Sequence, residues 1–185
     1  MTPYDVYMKA TEAQKRLPEL EPIIVCNAYW ACKYALDVIK GRWPEAEPAI
    51  VKCQNNAYCY ARYVIKERWP EAEENIMQSI AYAYLYARDV IKGRWMEAEP
   101  AIIKEEAYLS HYAIYVIQGR WLEAEPVIAQ SDKFSHIYAE TFFEEPVITK
   151  DQVGPFVWER MNLHGYFAPA SLFEDKVSLL DMVIE

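Results

Sequence analysis

One step of 26 residues constrains this chain more than any other feature. Trp43, Trp69, Trp95 and Trp121 stand 26 residues apart, and Leu17 takes the same place one step earlier. The arginine before each of them (Arg16, Arg42, Arg68, Arg94, Arg120) keeps the step without a gap. Around them lies VIKGRWPEAEP, residues 38–48, which returns in altered form at Val64, Val90 and Val116. A fixed period between about twenty and fifty residues marks stacked repeats, in which each unit buries its apolar face only against its neighbours.

Within each repeat the pattern reads as two short helices. Tyr34, Tyr60, Tyr86, Tyr112 and Tyr138 form one unchanging column and Ala35, Ala61, Ala87, Ala113 and Ala139 the next. With Val38 and Ile39, their equivalents, and the column at Ala31, Ala57, Ala83 and Leu109, they fall at i, i+3, i+4, i+7 and i+8. That spacing gives one apolar helical face. The first helix is expected over Ala28–Lys40, with Gly41, Gly93 and Gly119 taking the left-handed conformation after its end. Glu67 replaces that glycine once, so the turn there is expected to be slightly strained or differently shaped. The second helix is expected to start near Pro44 or Pro70. A further proline at Pro48, Pro100 and Pro126 predicts a kink or a short turn before it.

The fold class that follows is all-α: a short α-solenoid of about five and a half two-helix repeats with a C-terminal helical cap. Residues 1–26 read as a degenerate N-terminal capping repeat, opened by Thr2-Pro3-Tyr4-Asp5 as a helix start. Residues 27–150 form the array, whose last unit is truncated. Residues 151–185 form a cap or appendage, with helices expected over Pro155–Leu163 and from Ser171 onward, the latter bearing Phe173, Val177, Leu180 and Ile184 on one face.

The 185 residues are 53% hydrophobic and 15% aromatic, far from a disordered composition. A formal charge of −9 argues against a direct grip on phosphate backbones. Cys26, Cys32, Cys53 and Cys59 match no zinc spacing, and His111, His136 and His164 are scattered, so neither metal nor cofactor is expected. No signal-peptide pattern opens the chain, and no apolar run nears the ~20 residues a bilayer needs. A soluble intracellular protein is the expectation.

The tryptophan column reads as buried wedges between units rather than an aromatic ladder for a ligand. The arginines and the paired acids of the PEAE stretches (Glu19 with Glu21, Glu45 with Glu47, and their equivalents) read as an Arg–Glu network between repeats. A carboxylate pair copied in every unit has no single pocket in which to do acid–base chemistry. Columns that differ between repeats are where an individual partner is expected; the alternative is that some of these side chains pack against the flanking repeat or the C-terminal segment. On the first helix these are Trp30/Asn56/Tyr82/Tyr108/Phe134, Lys33/Cys59/Leu85/His111/Ile137 and Asp37/Tyr63/Asp89/Tyr115. The candidate partner-binding residues are Tyr63, Tyr82, Leu85, Asp89, Tyr108, His111 and Tyr115, since aromatics concentrate at binding hot spots.

Units of the form YAxxVIKGRWPEAEPxI, as in Tyr34–Ile50 and Tyr86–Ile102, resemble short repeats scattered through proteins of tailed bacteriophages. The resemblance spans about residues 16–148. It implies a helical repeat protein of viral origin in the host bacterial cytoplasm, and it carries no established activity. The expectation is a non-enzymatic binding protein that blocks a host protein, such as a component of anti-phage defence. Two alternatives stay open. One is capture of an anionic small molecule, such as a nucleotide signal, by Arg42, Arg68, Arg94 and Arg120. The other is mimicry of nucleic acid by the repeated carboxylates.

Overall fold

A computed structural model describes residues 1–131 and 134–142. The expected truncated end of the array, the cap over 151–185 and His164 lie outside the described residues. Among the described residues every regular element is helical. The chain divides into two compact units, Met1–Ala98 and Glu99–Glu185.

The first unit opens with α1, Pro3–Ala13. The Thr2 hydroxyl accepts the Asp5 N–H at 3.2 Å, and the Asp5 carboxylate accepts the Thr2 N–H at 2.7 Å, a full capping box. Then come α2 (Glu21–Ile24), α3 (Ala28–Tyr34), α4 (Glu47–Ile50), α5 (Gln54–Tyr60), α6 (Pro70–Ile76) and α7 (Ile80–Tyr86). The second unit holds α8 (Glu99–Ile102), α9 (Glu106–Tyr112), α10 (Glu125–Ile128) and α11 (Phe134–Phe142). Within the first unit α1 packs on α3, α3 on α5 and α5 on α7; within the second, α9 packs on α11. Helices of four to seven residues are unstable alone in water. Packing against neighbouring repeats is what holds them.

That packing centres on the repeated columns. The Tyr34, Tyr60, Tyr86, Tyr112 and Tyr138 side chains are fully buried, as are Ala35, Ala61, Ala87 and Ala113. Trp43, Trp69, Trp95 and Trp121 are buried too, as expected of wedges. At ~150–250 Å² per indole and ~25 cal/mol per Å², each contributes a gross upper bound of about 4–6 kcal/mol.

The end of each first helix differs from expectation. After α3, α5, α7 and α9 the chain continues as a π-helical turn: Ala35–Ile39, Ala61–Ile65, Ala87–Ile91 and Ala113–Ile117. The wider turn brings Val38, Ile39, Val64, Ile65, Val90, Ile91 and Ile117 only to half-burial, rather than into the core with the tyrosines. The Ala35 carbonyl accepts from both Lys40 N–H and Gly41 N–H. Left-handed backbone therefore falls one residue before the glycine, at Lys40 (φ 59°), Lys66 (φ 65°), Lys92 (φ 59°) and Gln118 (φ 55°). Gly41, Gly93 and Gly119 have no positive φ to supply, and Glu67 sits in the glycine column without strain. A side chain in the left-handed region costs on the order of 1–2 kcal/mol relative to ordinary backbone.

The second proline behaves as expected. Pro48 and Pro126 sit in the first turn of four-residue helices, each preceded by a short turn. The one repeat with Glu74 in that column supplies an internal control: α6 runs unbroken from Pro70 to Ile76.

A test of the turn follows. Nothing lies within 4 Å of a Cβ built at Gly41 or Gly93. Gly41→Ala and Gly93→Ala are therefore expected to leave stability unchanged or raise it by about 0.4–1 kcal/mol in urea unfolding, through a less flexible unfolded chain. Destabilisation beyond about 1 kcal/mol would put the left-handed residue back at the glycine.

Candidate functional site

The repeated polar columns build a clasp. Arg42 donates from Nε and Nη2 to the two oxygens of Glu47 at 2.9 Å each, five residues on in the same repeat. Glu47 Oε1 also accepts the Tyr60 hydroxyl at 3.1 Å, and that hydroxyl accepts the backbone N–H of Trp43 at 2.6 Å. The pattern repeats with Arg68, Glu73, Tyr86 and Trp69, and with Arg16, Glu21, Tyr34 and Leu17. In the second unit Arg120, Glu125, Tyr138 and Trp121 do the same, and Tyr112 reaches Glu99 at 3.2 Å. The Arg–Glu pair thus closes within one repeat, contrary to the network expected between repeats. The tyrosine is the part that crosses between them. Its ring also meets the indole of its own repeat, as at Tyr60–Trp69 (5.2 Å) and Tyr86–Trp95 (5.0 Å).

Burial pushes the Tyr34, Tyr60, Tyr86 and Tyr138 hydroxyls above their ordinary value. At Glu21 the hydrogen bond from Arg16 outweighs burial and lowers the carboxyl. The clasp spends the charges of Arg16, Arg42, Arg68 and Arg120 on carboxylates. The first acid of each PEAE pair is the exposed one, as at Glu45, Glu71 and Glu97.

The candidate partner residues divide by unit. In the first, Tyr63 is 44% exposed, while Tyr82 and Leu85 are half-buried. Tyr82 lies 5.9 Å from the Tyr58 ring. Asp89 is drawn inward: it takes Arg62 at 2.6 Å, Arg88 at 2.7 Å and the Tyr58 hydroxyl at 2.5 Å. Burial raises the Asp89 carboxyl, but the bonds from Arg88 and Tyr58 more than offset it, so it is lowered. In the second unit Tyr115 is 54% exposed, with the exposed His111 ring 5.8 Å away, and Tyr108 is half-buried. Trp30 and Asn56, from the same variable columns, are engaged within the array, Trp30 half-buried and Asn56 buried. Trp30 packs on Tyr4 and Tyr7 of α1.

Sequence reasoning did not pick out Tyr29, Leu36, Asn55 or the lysines after the first three π turns, Lys40, Lys66 and Lys92. Tyr29, Lys33, Leu36, Asn55, Cys59 and Tyr63 line a depression of about 190 Å³ between α3 and α5. The one available signal was that Tyr29, Lys33 and Leu36 share a helical face. Burial pushes the Cys32 thiol up to about 12, the opposite of what a nucleophile needs. Among the described residues no group of three or more His, Cys, Asp or Glu is placed to hold a metal ion. No described helix is long and apolar enough to cross a membrane. Comparison with known proteins finds no family model, curated protein or solved structure that matches the chain.

Two expectations test the clasp. Tyr86→Phe leaves the buried Trp69 N–H without an acceptor and should cost about 1–3 kcal/mol in urea unfolding. Arg68→Ala, at a side chain 48% exposed, should cost under about 1 kcal/mol. Equal losses would remove the tyrosine from its central place. The second concerns alkali. A tyrosine raised in the folded state keeps its proton longer than in the unfolded chain, so stability is full below the ordinary value near 10 and falls as pH rises from there. Absorbance at 295 nm should show the clasp tyrosines ionising only as the chain unfolds; ionisation at their ordinary value in the folded protein would refute the clasp.

Proposed function

We propose that this chain is a non-enzymatic binding protein that acts by direct contact with another protein. The observation that supports it best is the division of labour along the first helices. The repeated arginines, second glutamates and tyrosines are consumed internally, while side chains that differ from repeat to repeat, Tyr29, Tyr63, His111 and Tyr115 among them, stand exposed. Exposed aromatics on a rigid scaffold suit a protein interface. A buried Cys32 thiol that burial pushes up and a carboxylate repeated in each unit do not suit a catalyst. The resemblance to phage repeats supports a host protein of the bacterial cytoplasm as the partner, with an anti-phage defence component the class to examine first. Capture of an anionic small molecule by Arg42, Arg68, Arg94 and Arg120 has less to stand on, because Arg42, Arg68 and Arg120 are each forked to a glutamate.

The test is affinity capture from lysate of the infected host, using the parent chain, Tyr63→Ala/Tyr115→Ala and the turn variant Gly93→Ala. One stoichiometric protein is expected on the parent and on Gly93→Ala, reduced about tenfold or more on the tyrosine pair. Absence of any stoichiometric partner, or equal capture by all three, would overturn the reading.

A further inference from the structure

Charge is segregated along this chain. Residues 1–98 carry thirteen Lys and Arg and thirteen Asp and Glu, so the formal −9 lies wholly in residues 99–185, where six basic side chains stand with fifteen acidic ones. Within the balanced first unit, the cations are used unequally. Arg16, Arg42 and Arg68 are spent on glutamates. Lys40, Lys66 and Lys92 are exposed and make no ion pair among the described residues. Each also holds a left-handed backbone that glycine would adopt without strain, although glycine stands one residue later at Gly41 and Gly93.

Two adjoining depressions open beside these lysines. The larger, about 190 Å³, includes Tyr29, Lys33, Leu36 and Tyr63; the smaller, about 120 Å³, includes Leu36, Lys40, Tyr63, Val64 and Lys66. Leu36 and Tyr63 belong to both, so an apolar seam joins a lysine on one side to two on the other. The Arg62 guanidinium lies 4.9 Å over the Tyr63 ring. Asp37, the acid on the same helix, is held by the Tyr7 hydroxyl at 2.7 Å and lies 3.9 Å from Lys33.

We infer that this seam receives a short acidic protein segment anchored by an apolar side chain. Carboxylates meet Lys33, Lys40 and Lys66, and the apolar side chain enters between Leu36 and Tyr63. This rests on the protein-binding reading and names the chemistry of the partner. A nucleic acid fits less well. Its phosphates find no apolar use for Leu36 and Val64. Lysine at a helix C-terminus also gains from the dipole, so the substitution chosen is glutamine, which the chain itself carries at the equivalent Gln14 and Gln118.

The probe is a fluorescein-labelled synthetic peptide, EELLEEFLEE, titrated by anisotropy against the full chain. Saturable binding is expected, weakened about tenfold or more between about 50 and 500 mM salt. Lys40→Gln/Lys66→Gln and Tyr63→Ala should each weaken it similarly, with the urea midpoint of the glutamine pair unchanged. The charge-reversed peptide KKLLKKFLKK should not bind. No binding of the acidic peptide, equal binding by the variants, or tighter binding of a single-stranded DNA oligonucleotide overturns the proposal. If the glutamine pair captures the same host protein as the parent, the protein-binding reading survives and this seam is excluded as its place.

Discussion

A buried backbone N–H at the head of each turn must find an acceptor, and the neighbouring repeat supplies it. The Trp43 N–H is answered by the Tyr60 hydroxyl, the Trp69 N–H by Tyr86 and the Trp121 N–H by Tyr138, each 17 residues on. Leaving such a group unpaired costs more than the net gain of an ordinary hydrogen bond. Each repeat is therefore incomplete until the next is folded against it, which gives a physical reason for nearest-neighbour stability in stacked repeats. The arrangement also explains why Leu17 is tolerated in the tryptophan column. Its backbone N–H still reaches the Tyr34 hydroxyl at 2.8 Å, and that bond needs no indole.

The repeat architecture was legible because the same side chains recur at one spacing. The role of Tyr60 was only half legible: invariance marks it as structural, but no spacing reveals that its hydroxyl seeks a main-chain N–H rather than a polar rim. The end of the first helix shows a different limit. Ordinary helical counting places the left-handed residue at Gly41. In the π turn the Ala35 carbonyl is met by the N–H groups of both Lys40 and Gly41, and the left-handed residue is Lys40. A composition rule that names glycine cannot detect that shift, because the hydrogen-bond register is decided by packing of the turn.

The variable columns were informative in a more mixed way. Variation along a repeat array has two physical sources. One is contact with something outside, and Tyr63 and Tyr115 have the exposure this requires. The other is compensation between neighbours inside the array. Asp89 differs from Tyr63 in its column because Arg62, Arg88 and Tyr58 surround it with donors, and Trp30 differs because α1 offers it Tyr4 and Tyr7. Sequence columns do not separate these sources. Burial does.

The clasp also shapes what is left for recognition. A bidentate arginine on a largely buried glutamate is electrically complete, so copying it in each repeat adds rigidity without adding an attractive surface. Net attraction must then come from charges outside the clasp. In the first unit Lys40 and Lys66 are such charges, and they line one depression with Leu36, Tyr63 and Val64. Turn geometry that withholds Val64 from the core thus brings it beside Lys40 and Lys66. A regular array acquires a particular surface here through the local winding of its helix ends, while its repeated core stays unchanged.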